Sequence, residues 1–196
     1  MEHHRVILSQ PAQDFTTSLQ LGNGRYEIIL YEQVSGSSYT SAGKVTLNVN
    51  MADTDVCYLY PNQYVNYTAD SPVASYADQL CDGMSARAAY DTVCEYVGHY
   101  FKYDFIKAMN IRSGVLPDID GSYSKRMGIC QDLSAVTCCL LRSRGIPARL
   151  MIGDADGNYH AWVQVRIGGE DLFYDPTAAV NPSFQRVRKY TVERYY

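Results

Sequence analysis

Three short segments between residues 128 and 177 carry side chains that together could do nucleophilic chemistry. Cys130 lies in Gly-Ile-Cys-Gln-Asp, His160 in Tyr-His-Ala-Trp, and Asp175 in Tyr-Asp-Pro-Thr. A cysteine, a histidine and an aspartate are the components of an activated thiol nucleophile. In such a site the thiolate attacks an acyl carbon, the imidazole transfers the proton, and the carboxylate fixes the imidazole tautomer. The sequence therefore predicts thiol-dependent acyl chemistry at Cys130, His160 and Asp175.

Cys130 is predicted to lie at the start of an α-helix. Ile129, Leu133, Val136 and Leu140 recur at spacings of four, three and four residues, which is one face of a helix. The sequence Arg-Ser-Arg-Gly-Ile-Pro that follows is a strong helix stop, so the helix should span about fourteen residues. Unpaired backbone N–H groups and the positive end of the helix dipole favour a thiolate at this position.

His160 and Asp175 are predicted to lie on neighbouring strands. The segment that carries His160 alternates apolar and polar residues, and Gly168-Gly169 is a two-residue hairpin turn that leads into a second strand. With Ile167 paired to Glu170, His160 and Asp175 lie on the same face, with Cα atoms roughly 7–8 Å apart, which allows a side-chain hydrogen bond. This inference depends on the two glycines being the whole turn, because a three-residue loop would reverse the faces.

The same stretch resembles the core of the bacterial transglutaminase-like superfamily. The resemblance is carried by Gly-Ile-Cys130, by the sequence from Leu140 to Arg149, by His160-Ala-Trp and by Asp175-Pro-Thr, in that order, and it covers residues 72–191. It implies an α+β, papain-like fold in which a central helix carrying the cysteine packs against a small antiparallel sheet. It also implies a Cys-His-Asp triad. Members of the superfamily include transglutaminases, peptidases and other amidases, together with proteins of no known activity.

Hydrolysis of a peptide or glutamine-type amide, by a cysteine peptidase or amidase, is the favoured function. Water is always present, whereas transfer to an amine needs a dedicated dry tunnel. One alternative is protein-glutamine transamidation, as in a cross-linking transglutaminase, and the other is a catalytically silent binding module that retains the fold. The intact triad argues against a silent module. The expected partner is a protein or peptide substrate, such as a cell-wall peptide, and the chemistry needs neither a cofactor nor a metal.

Several further residues are candidates for binding the substrate or stabilising the oxyanion: Gln131, Trp162, Tyr159, Tyr103, Asp118 and Asp120. Trp162 follows the histidine by two residues and is expected to shield the triad or line the cleft. The two aspartates lie in a predicted loop, residues 116–123, that leads to the nucleophile. They would either attract a cationic substrate or simply form a turn, and the turn is the favoured interpretation. The backbone N–H of Cys130 is a further oxyanion candidate.

Composition and charge argue against nucleic-acid binding, a membrane span and a cysteine metal site. The chain has 196 residues, 46% of them hydrophobic and 19% charged, which is typical of a globular protein with a real core. A net charge of −4 gives no electrostatic footprint for nucleic acid. Neither a transmembrane segment nor a signal peptide is predicted, although the resemblance implies an extracytoplasmic or cell-surface location. The six cysteines lack metal-site spacing, and a disulfide among Cys57, Cys81 and Cys94 stays open.

Two domains are predicted, an N-terminal β module with a connector at residues 1–70 and a catalytic domain at residues 71–196. Strand-like segments occur at residues 5–8, 16–21, 26–31 and 44–50. Gly22-Asn23-Gly24 predicts a hairpin turn between the second and third of these strands. The module is weakly similar to the Ig-like modules that often precede this kind of core. A structural platform is favoured over a substrate-recognition arm, because the segment contains no candidate site.

The catalytic domain is expected to contain three helices before the nucleophile and strands after it. The helices are predicted at residues 72–81, 85–100 and 104–111, with Ser85 as an N-cap. Residues 154–158 are predicted to form a tight turn between strands 148–152 and 159–167, and an edge strand is expected after Asn181.

Overall fold

The computed structural model describes residues 18–196, which form two compact units, one containing residues 19–54 and the other residues 55–196. The predicted domain boundary at residue 70 stays a prediction. Within the described residues no helix is both long and apolar enough to cross a membrane.

The N-terminal unit contains an antiparallel hairpin, β1 (Gly24–Ser35) and β2 (Ser38–Val49), in which Ile28 pairs with Val45. The strands predicted at residues 26–31 and 44–50 lie within this hairpin, with residue 50 just beyond its end. Antiparallel strands therefore precede the core, as expected. The predicted strand at residues 5–8 lies outside the described residues.

The strand predicted at residues 16–21 and the hairpin turn predicted at Gly22-Asn23-Gly24 are wrong over the described part of the chain. Residues 18–23 contain no strand, and the turn of the hairpin is at Gly36-Ser37. The side-chain amide of Asn23 instead forms two hydrogen bonds with the backbone of Met51, accepting from its N–H at 2.6 Å and donating to its carbonyl at 3.1 Å. The glycines therefore lead into β1 and do not reverse the chain between two strands.

The second unit is a mixture of helices and strands. After a 3-10 helix at Thr54–Leu59, its elements are α1 (Pro72–Leu80), α2 (Ala86–Tyr100), β3 (Lys102–Tyr103), α3 (Phe105–Asn110), α4 (Ile119–Lys125), β4 (Met127–Gly128), α5 (Cys130–Ser143), β5 (Ala148–Ala155), β6 (Asn158–Ile167), β7 (Glu170–Tyr174), α6 (Pro176–Val180), a 3-10 turn (Phe184–Arg186) and β8 (Tyr190–Tyr195). Strands β7, β6, β5 and β8 form an antiparallel sheet in that order, and β3 pairs in parallel with β4. This is the predicted α+β arrangement.

The first three predicted helices are confirmed to within a residue or two, whereas the predicted loop at residues 116–123 is partly wrong. Ile119–Lys125 is helical, and the carboxylate of Asp118 caps it by accepting a hydrogen bond from the Gly121 N–H at 2.9 Å. An aspartate that favours a turn also favours a helix N-cap, because the same short side chain accepts from the N–H three residues ahead.

Helix α5 is the centre of this unit, and its predicted length is confirmed at fourteen residues. It is buried continuously from Asp132 to Arg142, with Leu133 and Leu140 inaccessible to solvent. The buried Arg142 guanidinium donates to the backbone carbonyls of Ala148, Tyr60 and Tyr196 at 2.6–2.9 Å. These three bonds tie the C-terminal end of the helix to β5, to Tyr60 after the 3-10 helix, and to Tyr196 after β8.

The sheet brings the second half of the predicted site together. Ile167 pairs with Glu170 across the two-residue turn, as predicted, and the pairing continues to Val163 with Tyr174. The expected edge strand is β8, which pairs with β5. At Gly153 the two strands approach so closely that a Cβ atom would lie 2.0 Å from the Thr191 carbonyl oxygen.

Candidate active site

A side-chain hydrogen bond connects His160 and Asp175, and Cys130 lies beside the imidazole. The Nε2 atom of His160 lies 2.9 Å from Oδ2 of Asp175, and both side chains are almost completely buried. The side chain of Cys130, the first residue of α5, lies close enough to the imidazole to contribute to the pKa of His160. Because Nε2 is used by Asp175, Nδ1 is the ring nitrogen available to the thiol. Cys130 itself is half-buried, whereas the imidazole is almost completely buried.

Asp175 is held by four donors, two on each carboxylate oxygen. It is the N-cap of α6, where Oδ1 accepts from the N–H groups of Thr177 and Ala178 at 2.9 and 3.1 Å. Oδ2 accepts from His160 and, at 2.7 Å, from the hydroxyl of Tyr190 on β8. A carboxylate suits this position because it offers only acceptors, and every one of its neighbours is a donor.

The contacts favour a charged imidazolium. Burial opposes the charge on His160, but the interactions of the imidazole with Asp175 and Cys130 outweigh it and raise its pKa to about 9. Burial likewise raises the pKa of Asp175, but the bonds from His160 and Tyr190 bring it below its usual value of 3.8. An imidazolium beside the N-terminus of a helix is an environment that stabilises a thiolate.

Aromatic rings enclose the imidazole. Phe184 stacks on His160 with ring centroids 4.8 Å apart, and Trp162, on the same face of β6, lies nearly parallel at 6.3 Å. Tyr190 meets Trp162 edge-on at 5.0 Å, so its ring packs in this cluster while its hydroxyl reaches the carboxylate. Trp162 is 3% exposed. Its role in shielding the triad or lining the cleft stays a prediction.

The short β3–β4 pair positions the chain segment that leads into Cys130. Tyr103 lies beside Gly128, and the Asp104 N–H donates to the Gly128 carbonyl at 3.0 Å. A Cβ at Gly128 would lie 2.6 Å from Cβ of Asp132, so only glycine fits against the first turn of α5. Upstream, Arg126 adopts a left-handed conformation with φ 51°, and its guanidinium lies 3.9 Å from the centroid of the Tyr123 ring. This cation–π contact helps to hold the segment that enters β4.

Asp132, two residues after Cys130, is a second buried carboxylate of the site, besides Asp175. Its carboxylate is inaccessible to solvent and pairs with the Lys107 ammonium at 2.8 Å. It also accepts from the backbone N–H groups of Ile129 at 3.0 Å and Asp118 at 3.3 Å. The first turn of α5 is thereby joined to α3 and to the start of α4.

Tyr103 is a predicted oxyanion candidate whose hydroxyl interacts electrostatically with Cys130. Burial, together with the nearby Cys130 and Asp132, raises the pKa of its hydroxyl to about 12. The hydroxyl therefore keeps its proton at neutral pH and is available as a donor. The Tyr103 ring also contacts Phe184, with centroids 6.3 Å apart, and so joins the cluster around His160.

The other predicted binding residues have structural partners. Gln131 donates from Nε2 to the Val115 carbonyl at 2.9 Å. Tyr159 is 63% exposed and its hydroxyl bonds to Arg194. Asp118 caps α4, as described above, and Asp120 accepts from the Ser71 hydroxyl at 3.1 Å. The favoured interpretation of the two aspartates as turn formers is corrected at Asp118, which is a helix N-cap, while a role for either aspartate in binding a cation stays a prediction.

Three residues of the site were not predicted: Tyr190, Phe184 and Asp132. An acid at the third position of a helix is a capping signal that could have identified Asp132. Tyr190 and Phe184 reach the triad from the far end of the chain, and no local pattern indicates that contact.

The remaining cysteines are distinct from Cys130. Cys81 and Cys94 are free thiols, so the three candidate cysteines form no disulfide with one another. Cys138 and Cys139 are buried within α5, and burial raises the pKa of each to about 12. Among residues 18–196 no group of three or more His, Cys, Asp or Glu side chains is placed to hold a metal ion.

Known proteins resemble this chain in sequence and in fold. A 72-residue stretch is 39% identical to the uncharacterized protein ML0607 of Mycobacterium leprae, covering 31% of this chain and 25% of that protein. The chain thus spans a quarter of the length of this curated relative. A candidate cysteine protease from Cytophaga hutchinsonii superposes with a TM-score of 0.54 at 17% identity, covering 87% of this chain and 70% of that one. At this identity the likeness shows a shared fold.

A second solved structure is the periplasmic domain of TgpA from Pseudomonas aeruginosa, bound to ethylmercury. It gives a TM-score of 0.49 at 21% identity, covering 61% of this chain and 49% of that one. The family described as the transglutaminase-like superfamily matches residues 74–176, which is more than half of the chain and extends from α1 to the first residue of α6. The chain belongs to the transglutaminase-like superfamily.

Proposed function

We propose that the protein is a thiol-dependent amidase or peptidase with Cys130, His160 and Asp175 as its catalytic triad. The observation that carries the proposal is the buried hydrogen bond between His160 and Asp175, with the imidazole beside Cys130 at the N-terminus of a buried helix. The order of the three groups matches a thiol nucleophile, a proton carrier and an orienting carboxylate. The other members of the superfamily with known activity support acyl chemistry on amides.

The proposed reaction has two steps. First, the Cys130 thiolate attacks the carbonyl carbon of the substrate amide, and the carbon–nitrogen bond breaks to leave a thioester. The His160 imidazolium gives its proton to the departing amine. The neutral imidazole then takes a proton from water while the water oxygen attacks the thioester. A carboxylic acid leaves, and the thiolate and imidazolium are restored.

Two donors are proposed for the oxyanion of the tetrahedral intermediate. The Cys130 backbone N–H lies in the first turn of α5, where no carbonyl of the helix can accept from it. The Tyr103 hydroxyl, protonated because of its raised pKa of about 12, is the second donor. Gln131 is not proposed, because its amide is bonded to the Val115 carbonyl. Removing one such donor typically lowers kcat by about a hundredfold or more, which is the loss expected for Tyr103→Phe.

Intact-mass spectrometry tests the proposal. The protein is incubated with a library of peptides and of peptidoglycan-like amides, and an acyl adduct is sought. An adduct should form on the wild type and not on Cys130→Ala, and it should form at least about a hundredfold more slowly on His160→Ala. Added glycine methyl ester distinguishes the alternatives, because a transamidase transfers the acyl group to the amine whereas a hydrolase releases the acid.

Selective alkylation provides a second readout that needs no substrate. At pH 6.5 iodoacetamide should modify Cys130 far faster than Cys138 or Cys139, whose buried thiols have pKa values of about 12. Alkylation of Cys130 at the rate of N-acetylcysteine, together with no acyl adduct from any probe, would leave a silent binding module as the function.

A further inference from the structure

An exposed apolar surface lies on α3 and on the segment that follows it. The α3 surface consists of five side chains: Phe105, Ile106, Met109, Val115 and Leu116. Their exposed fractions are 60%, 74%, 78%, 45% and 43%. Single exposed apolar residues are ordinary, but five within a stretch of twelve residues indicate a binding surface.

The polar contacts of α3 determine which of its faces points outward. Lys107 reaches into the protein and pairs with the buried Asp132 at 2.8 Å. The Asp104 side chain caps the helix through the Lys107 N–H at 2.8 Å. Phe105, Ile106 and Met109 are spaced one and three residues apart, so they share one face of the helix. That face is opposite to Lys107, which points towards Asp132.

A series of ring contacts connects the α3 surface to the candidate triad. Phe184 stacks on His160 at 4.8 Å, Tyr103 meets Phe184 at 6.3 Å, and Phe105 meets Tyr103 edge-on at 5.1 Å. The surface therefore begins at the wall of the site. It continues the apolar lining outward from the imidazole.

The second half of the surface is joined to the nucleophile's own helix. The carbonyl of Val115 accepts from Gln131, the residue after Cys130, at 2.9 Å. Two residues after Leu116, the N–H of Asp118 donates to Asp132 at 3.3 Å. Both halves of the surface thus lie against the first turn of α5, where the scissile amide must bind.

We propose that the α3 surface binds a large apolar side chain of the acyl-donor polypeptide and sets the specificity of the reaction. The inference rests on the proposed function, since it assumes that an acyl group is delivered to Cys130. The surface carries aliphatic and aromatic groups. Of the two cations in the same stretch, Lys107 is already paired with a carboxylate, and Arg112 lies in the segment after α3. Such a surface favours leucine-, methionine- or phenylalanine-like side chains and disfavours charged ones, whose hydration would be lost on binding.

Acyl-transfer rates from activated esters test the proposal. The p-nitrophenyl esters of acetyl-Gly-Gly, acetyl-Phe-Gly and acetyl-Gly-Phe are compared by release of nitrophenol, with the Cys130→Ala rate subtracted. One of the phenylalanine esters should react about tenfold faster than the glycine ester, as partial burial of one such side chain predicts. The variants Ile106→Ser and Met109→Ser should reduce that ratio about fivefold and leave the glycine ester unchanged. Met84→Ser, at an exposed methionine in the turn before α2, is the matched control and should keep the ratio.

The outcomes separate the two proposals. If no ester acylates Cys130, the proposed function fails. If all esters acylate it equally, or if the ratio survives in both variants, the α3 surface is not a substrate subsite while the chemistry stands. Sedimentation of the wild type and of Met109→Ser provides a further check. A dimer that the variant abolishes, with an unchanged ester ratio, would assign the surface to a second copy of this chain and overturn the proposal.

Discussion

Replacing Asp175 by asparagine probes the hydrogen bonds of the candidate triad. The carboxylate accepts two backbone N–H bonds at Oδ1 and the bonds from His160 and Tyr190 at Oδ2. An amide has one acceptor and one donor end, so it cannot satisfy both pairs. If the amide oxygen caps α6, the amide NH₂ faces the His160 ring nitrogen and disfavours an imidazolium. The variant should therefore fold, but with a neutral histidine.

The magnitude follows from the pKa of His160, which is about 9 in the folded protein against 6.5 for the free side chain. A difference of this size corresponds to about 3 kcal/mol of stability at 1.36 kcal/mol per pH unit. Because the folded pKa is the raised one, this stability is complete below pH 6.5 and is lost as the pH rises through 9. Asp175, whose folded pKa is lowered, stays ionised throughout that range. Cys130 supplies part of the effect, so Asp175→Asn should remove about 2 kcal/mol of it.

Two measurements check this prediction. Urea unfolding, followed by the fluorescence of the single tryptophan, Trp162, should show the variant about 2 kcal/mol less stable than wild type at pH 6, with a smaller difference at pH 9.5. NMR titration of the His160 imidazole, assigned with His160→Gln, should give a midpoint near 9 in the wild type and at least about one unit lower in the variant. Turnover should fall about a hundredfold to a thousandfold, less than for a serine nucleophile, because a thiol is intrinsically more reactive.

Tyr190→Phe is the matched control. It removes the other donor to Oδ2 without changing any charge, so it should cost about 1 kcal/mol of stability and leave the His160 midpoint near 9. Equal midpoints in wild type and Asp175→Asn would refute the reasoning, because they would mean that the carboxylate does not hold the imidazolium.

Three further substitutions test how the scaffold holds the site. Lys107→Met leaves the buried Asp132 carboxylate without its cation and should destabilise the protein by about 3–5 kcal/mol in urea unfolding. A loss of less than about 1 kcal/mol would contradict this prediction, because it would mean that water replaces the ammonium group. Gly153→Ala places a Cβ 2.0 Å from a carbonyl oxygen of β8, so it should lower the melting temperature. It should also slow turnover, because β8 carries Tyr190, which contacts Asp175 of the candidate triad. An unchanged melting temperature would contradict the close approach of the two strands. Arg142→Met leaves three backbone carbonyls without their donor and should lower the free energy of unfolding by about 3 kcal/mol or more. Arg87→Met, at an exposed arginine, should lower it by less than about 1 kcal/mol. Similar losses in the two variants would show that the buried hydrogen bonds contribute little.

Helix α5 and the hairpin of β6 and β7 were predictable because local rules determine them. The spacing of Leu133, Val136 and Leu140 gives the buried face of the helix, and Gly-Ile-Pro after it gives its end. For the hairpin, two glycines between alternating strands leave one register, and the observed pairing of Ile167 with Glu170 follows from it. The contact between His160 and Asp175 is a consequence of that register.

The errors arose where one local signal fits two structures. Gly22-Asn23-Gly24 has the composition of a hairpin turn, but Asn23 is satisfied by Met51, twenty-eight residues away. Asp118 was assigned to a loop because turns and helix N-caps use the same side-chain hydrogen bond. Tyr190 was missed for a different reason, since it reaches Asp175 only because β8 pairs with β5 at the far edge of the sheet.

The ion pair between Lys107 and Asp132 links the stability of the fold to the environment of the proposed nucleophile, Cys130. Asp132 is needed to close the first turn of α5, since it accepts the Ile129 N–H. An unpaired carboxylate two residues from Cys130 would repel a thiolate and oppose the favourable effect of the helix N-terminus. Lys107 cancels that charge at 2.8 Å and, with the same contact, fixes α3 and its apolar side chains beside the site. One buried ion pair thus completes the helix start, removes the repulsion and orients the surface proposed to select the substrate.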